Sequence, residues 1–207
     1  MPAYDKFWDR AARNYDTGSQ DHDANYERRL EKLKSLIKQT DTVLDFACAT
    51  GEIGLGVAPF VARVHGIDVS EGMIALANDK VSRRGASNVS FSQTDIFDPD
   101  IGDQSYSVIL AFNIFHLLED APDVLSRMHD LLAPGGLLIS STPCLGSGNL
   151  IFRAMIRFGA FMKLLPSVRS FKAREIEQLI SNHNFDILES APWDNKNSVR
   201  WILARKK

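Results

Sequence analysis

Hydrophobic positions Tyr26, Leu30, Leu33 and Ile37 recur at three- and four-residue steps between charged neighbours, the spacing of one buried helix face. The period then changes. Val43-Leu44-Asp45-Phe46-Ala47 is a short apolar run, Ala49-Thr50-Gly51 is turn-prone, and the stretch from Glu52 to Phe60 returns to helical spacing. This order predicts a strand, a tight turn and a helix. Arg63 to Asp68 repeats the unit, with Ser70 as N-cap, a helix carrying Met73, Ile74, Leu76, Ala77 and Val81, and Gly85 as its stop.

The alternation continues down the chain. Val89 to Thr94 and Tyr106 to Phe112 have strand character, Pro122 opens a helix through Leu132, and Pro134-Gly135-Gly136 turns into a fifth strand, Leu137 to Thr142. An apolar helix is expected from Leu150 to Leu165 and another from Lys172 to His183, before two closing strands, Phe185 to Ser190 and Val199 to Ala204. Strands separated by helices imply a mostly parallel sheet covered on both faces, since parallel neighbours need a crossover. No helix-length segment separates the last two strands, so these should pair antiparallel.

Composition narrows the function classes. The 207 residues and 44% hydrophobic content suit one domain, residues 1–207, with N-terminal helices over 1–40 and an insertion over 145–170. The 24 Lys+Arg nearly balance 26 Asp+Glu without long blocks of one sign, which argues against nucleic acid as a partner. Cys48 and Cys144 have neither a disulfide framework nor a metal-ligand spacing, so no metal is expected and a reducing, cytoplasmic setting fits. The first residues have no basic segment followed by an apolar run, and no stretch is long enough for a membrane anchor.

Ligands of open α/β sheets sit at the carboxyl ends of the strands, and here those ends are acidic: Asp45, Asp68 and Asp95, with Glu52 opening the first crossover helix. The loop from Ala49 to Gly54 can be set against a dinucleotide fingerprint, with Asp68 as the ribose acid. Carboxylates at Asp45 and Glu52 would repel the pyrophosphate. A cationic nucleotide derivative without phosphate is the complementary ligand.

Val43 to Gly51, Gly66-Ile67-Asp68-Val69-Ser70 with Met73, and Leu131-Leu132-Ala133-Pro134-Gly135-Gly136 together resemble the class I S-adenosylmethionine-dependent methyltransferases. The branch most similar includes the small-molecule methyltransferases of ubiquinone and menaquinone biosynthesis. The resemblance implies a Rossmann-like three-layer sandwich whose seven-stranded, mostly parallel sheet has an antiparallel C-terminal strand. It implies S-adenosyl-L-methionine as cofactor and S-adenosyl-L-homocysteine as product. By the same resemblance Asp45 and the loop through Ala47, Ala49 and Gly51 hold the methionine end. Asp68 takes the ribose hydroxyls, with Val69 and Met73 in the same motif. Asp95 meets the adenine amino group, Ile96 supplies backbone contacts and Asn113 positions the methionine part. Ala47 and Ala49 depart from the family's usual glycines; alanine is tolerated there if the backbone dihedrals stay negative.

His116 follows the fourth strand where an acceptor would approach, and an imidazole of near-neutral pKa there would serve as general base. The bland alternative is a loop histidine bonded to the backbone. Phe7, Trp8, Ala11 and Tyr15 stand at helical spacing and read either as a surface helix or as a lid that places Tyr15 over the sulfonium. The expected function is methyl transfer to a small, apolar or anionic acceptor. Two rivals stay open, a cofactor-binding protein without catalysis and a nicotinamide-dependent oxidoreductase.

Overall fold

Short runs of apolar residues buried on both sides form the strands, and the computed structural model describes them among residues 5–12, 15–16, 20–144, 168–194 and 197–207. Two helices come first, α1 (Asp5–Ala12) and α2 (Gln20–Lys34). Then follow β1 (Thr42–Phe46), α3 (Glu52–Val57), β2 (Arg63–Asp68), α4 (Glu71–Arg84), β3 (Val89–Gln93) and β4 (Tyr106–Phe112). The remaining elements are α5 (Ala121–Leu131), β5 (Leu132–Pro143), α6 (Ala173–Ser181), β6 (Phe185–Pro192) and β7 (Val199–Lys206). The seven strands form one sheet in the order β3-β2-β1-β4-β5-β7-β6. The order reverses after β1, which makes its carboxyl end a switch point of the kind that receives ligands.

The backbone divides into two compact units, one running to Asp98 and taking in Tyr106–Val108, the other holding Pro99–Ser105 and Ile109–Lys207. In the first, β1 pairs parallel with β2 from Thr42↔Arg63 to Phe46↔Ile67, and β2 pairs parallel with β3 from Val64↔Val89 to Asp68↔Gln93. Val43, Leu44, Val64 and Ile67 are fully enclosed, with Leu33 of α2, Val57 of α3 and Ala77 of α4 equally buried. Burial on both faces is what a parallel strand beneath two helical layers requires. Ser70 caps α4 by accepting the Met73 N–H at 3.2 Å, and Gly85 ends it in the left-handed conformation, φ 63°.

In the second unit β5 and β6 both pair antiparallel with β7, so the closing pair expected from the missing crossover is present. Trp201 of β7 stacks on Phe112 at 5.8 Å and on Trp193 at 4.9 Å between ring centroids. Glu177 of α6 accepts from Arg200 at 2.7 Å and from Ser190 at 2.6 Å, tying the helix to β7 and β6.

Some boundaries move for physical reasons. α3 stops at Val57 and a single 3-10 turn, Ala58–Phe60, completes the expected helix, because Pro59 has no N–H to continue it. β5 leaves α5 at Leu132, ahead of the Pro-Gly-Gly turn, although its pairing with β7 starts at Leu137 as expected. Tyr15 is not on α1, which ends at Ala12; it sits in a turn whose N–H donates to the Ala12 carbonyl at 3.2 Å. The expected helix from Leu150 to Leu165 lies outside the described residues. Among the described residues no helix is long and apolar enough to cross a membrane.

Candidate functional site

The loop after β1 places every second residue in the left-handed region: Ala47 at φ 55°, Ala49 at φ 48° and Gly51 at φ 76°. The expectation of negative dihedrals at the alanines does not hold. A Cβ in this region costs about 1–2 kcal/mol, so surrounding bonds must hold the loop. The Cys48 N–H donates to the Ile67 carbonyl at 3.0 Å, the Gly51 N–H to the Cys48 carbonyl at 2.9 Å, and the Ala49 N–H to Asp68 Oδ2 at 3.0 Å.

The glycines of this region make room for a side chain of the protein itself. A Cβ on Gly51 would lie 2.5 Å from Cζ of Phe91, one on Gly66 2.3 Å from its Cδ1, and one on Gly54 3.3 Å from its Cε1. Phe91 lies opposite Gly66 in the β2–β3 register. Its ring fills the hollow left by three missing side chains. A glycine in a strand signals such contact, although the sequence does not say with which side chain.

Asp45 is 3% exposed, and its Oδ2 accepts the Gly54 N–H at 3.0 Å, in the first turn of α3. Gly51 at the N-cap has no side chain, so Asp45 supplies the cap from the neighbouring strand. Burial raises its pKa to about 7; the Gly54 bond opposes the rise, Asp68 adds to it and the Arg29 guanidinium lowers it. A carboxylate already fills the helix terminus where a dinucleotide would rest its phosphates. The exclusion of a dinucleotide therefore stands on Asp45. Glu52 contributes nothing to it, because its charge is balanced by Lys80 at 2.7 Å and Arg84 at 3.0 Å.

Asp68, at the end of β2, accepts the Ser70 N–H on Oδ1 at 2.9 Å and the Ala49 N–H on Oδ2 at 3.0 Å. Burial raises its pKa despite these bonds. The Val69 N–H bears on the carboxylate as a third backbone donor, and the roughly four lone-pair sites of a carboxylate leave room for a further one. Tyr15 is 42% exposed, and its phenol pKa is raised by desolvation and then by the charges of Asp68 and Asp16. Tyr15, Asp45, Ala47, Ala49, Gly51, Asp68 and the half-buried Val69 are thus brought to the loops that end β1 and β2.

The other expected cofactor residues are placed differently. Met73 and Ile96 are each 1% exposed, so their side chains belong to the core. Asp95 is exposed and its Oδ1 accepts the Phe97 N–H at 2.7 Å, a local turn bond. Asn113 and His116 lie in the second unit. Asn113 is exposed in the left-handed conformation, φ 55°, with its N–H on the Ser141 carbonyl at 2.8 Å. His116 sits in the 3-10 turn Phe115–Leu117, where its carbonyl accepts the Arg169 N–H at 2.7 Å. Its Nδ1 is buried without a hydrogen-bond partner among the described residues, and desolvation lowers the imidazole to about 4. The near-neutral value expected for it is corrected: burial without a carboxylate partner keeps this ring uncharged.

Sequence reasoning missed Asp9, Asp16, Lys80 and Arg29. Asp9 Oδ1 accepts the Ser70 hydroxyl at 2.6 Å and the Gly72 N–H at 3.0 Å, docking α1 on the start of α4. These partners are 61 and 63 positions away along the chain, beyond any local pattern.

The donor set suits a cation with sugar hydroxyls. Two acids with raised pKa values gain from a neighbouring positive charge, and Asp68 has lone pairs for hydroxyl donors. A family model described as a methyltransferase domain matches residues 37–191. The chain is 31% identical over 173 residues to a demethylmenaquinone methyltransferase of Thermus thermophilus, covering 74% of this chain and 77% of that protein. It is 28% identical over 148 residues to aklanonic acid methyltransferase DauC of Streptomyces sp. strain C5, covering 70% of this chain and 67% of that one. Its fold is shared with a SAM-dependent methyltransferase of Aquifex aeolicus, at TM-score 0.69 and 18% identity over 86% of this chain and 89% of that one. The left-handed loop, the acid at each of two strand ends and these likenesses agree: the chain belongs to the class I S-adenosylmethionine-dependent methyltransferases.

Proposed function

We propose that the loops ending β1 and β2 bind S-adenosylmethionine and that the enzyme methylates a small, largely apolar acceptor of the quinol or aromatic-acid class. The observation that carries the cofactor site is Asp68, partly exposed beside the left-handed loop and held by backbone donors on both oxygens. Asp68 would accept the ribose hydroxyls, and Asp45 with the backbone of Ala47 and Ala49 would face the cationic methionine end. Val69 and Ile96 would contribute backbone contacts around the base, and Asp95 would accept from its amino group. Tyr15, in the turn after α1, would exclude water from the site.

Bound S-adenosylmethionine supplies a methyl carbon activated by sulfonium charge. The protein's contribution is placement, which accounts for most of the acceleration available to an in-line displacement. His116, a neutral imidazole with a pKa of about 4, would be a weak base. The acceptor class is supported by the demethylmenaquinone and the aklanonic acid in the relatives' names. Two buried free thiols suit a reducing compartment, and we place the enzyme in the cytoplasm.

Transfer of a radiolabelled methyl group to a panel of quinols, aromatic carboxylic acids, phenols and amines tests the proposal. Turnover confined to the first two classes is expected. Labelling of amines alone would overturn the acceptor class.

A further inference from the structure

Lys80 meets three oxygen acceptors at once. On α4, with its side chain 16% exposed, its Nζ lies 2.7 Å from Asp16 Oδ2, 2.7 Å from Glu52 Oε1 and 3.1 Å from the Thr50 carbonyl, to which it donates. Thr50 is 2% exposed, and its hydroxyl donates to the other Asp16 oxygen at 2.6 Å. One ammonium therefore joins three pieces of chain: the turn after α1, the left-handed loop after β1 and the first residue of α3.

The loop has reason to need such a tie. Two alanines hold left-handed dihedrals in it, and Thr50 lies between Ala49 and Gly51, so its carbonyl orientation is set by the strained stretch. A buried carbonyl held by an ammonium resists the rotation that would relieve the strain. On the other side, Asp16 is the residue after Tyr15, and Asp9 fixes the preceding helix at Ser70 and Gly72. The N-terminal segment is thereby pinned on both sides of Tyr15, at Asp9 and at Asp16.

We infer that Lys80 is a positioning residue for the cofactor, a clamp that locks the left-handed loop and the Tyr15 turn together through Asp16 and the Thr50 carbonyl. The inference rests on the reading of these loops as the cofactor site. Lys80 acts on the ligand only through groups it holds: when Asp16 and Thr50 are released, the loop and the turn move independently and must be ordered by the ligand itself. That ordering cost appears as lost affinity. Arginine at this position has a guanidinium able to bridge the same carboxylate and carbonyl, whereas methionine keeps the stem and removes the charge.

The test is calorimetric titration of S-adenosylhomocysteine into the full chain and into Lys80→Met, Lys80→Arg, Asp16→Asn and the Asp16→Asn/Lys80→Met double variant. Lys80→Met and Asp16→Asn should each weaken binding about tenfold, and the double variant should bind no more weakly than Lys80→Met alone. Lys80→Arg should recover most of the affinity, which loss of generic stability would not explain. In wild type, S-adenosylhomocysteine should suppress tryptic cleavage after Arg10, and in Lys80→Met it should not. Equal affinity of Lys80→Met and wild type, or losses that multiply in the double variant, would overturn the clamp while leaving the cofactor site intact. Absence of S-adenosylhomocysteine binding to wild type would overturn the site and the clamp together.

Discussion

Asp45 links one carboxyl group to both stability and binding. Its folded pKa of about 7 lies above the ordinary carboxylate value, so its contribution to stability is full below about pH 4 and is lost as the pH rises through 7. Urea unfolding of the ligand-free protein should show that fall, and Asp45→Asn should flatten it. A cation bound nearby favours the ionised form, so binding expels the proton. Calorimetry in buffers of different ionisation enthalpy should find S-adenosylmethionine binding to release roughly 0.9 proton at pH 6 and about 0.1 at pH 8. Uptake of a proton would contradict the placement of the cationic end beside Asp45.

At the same scale, Ala47 and Ala49 hold left-handed dihedrals without the freedom of glycine. Relief of that strain exceeds the extra unfolded-state entropy of glycine, so Ala47→Gly and Ala49→Gly should each stabilise the protein by about 0.5–1 kcal/mol. The reading is a higher urea midpoint with an unchanged slope. The acids at the strand ends were legible because strand ends can be counted. The sign of φ at an alanine was not, since nothing in its own chemistry favours the left-handed region.

At the scale of elements, Phe91 governs how β2, β3 and α3 fit together. Gly66→Ala would press a methyl group into its ring and should cost about 1–3 kcal/mol of unfolding free energy, part of which Phe91→Leu should restore in the double variant. If the single variant is as stable as wild type, the ring does not fill that hollow. Strands and helices up to β4 were readable from periodicity and caps, as at Ser70 and Gly85. What local patterns could not supply were the contacts between elements: Asp45 capping α3 from the preceding strand, Asp9 capping α4 from the N-terminal helix, and Glu52 paired with Lys80 and Arg84. Each depends on which elements become neighbours, a consequence of the whole topology.

For the molecule as a whole, near-neutral charge and an ordered set of loop motifs led to the correct family; the mostly parallel sheet followed from the crossover helices and the antiparallel closing pair from the missing one, while the strand order itself had no signal in the sequence. His116 shows where whole-molecule context prevails over residue type, because a ring placed by chain order near the acceptor side is held neutral by its burial. The claim on which the account turns is that Asp68 contacts the cofactor at the end of β2. Calorimetric titration of S-adenosylhomocysteine into wild type and Asp68→Ala, with circular dichroism to verify that both are folded, tests it. Removing a charged acceptor of two hydroxyls should weaken binding by about 30-fold or more. An Asp68→Ala protein that binds as tightly as wild type would contradict it.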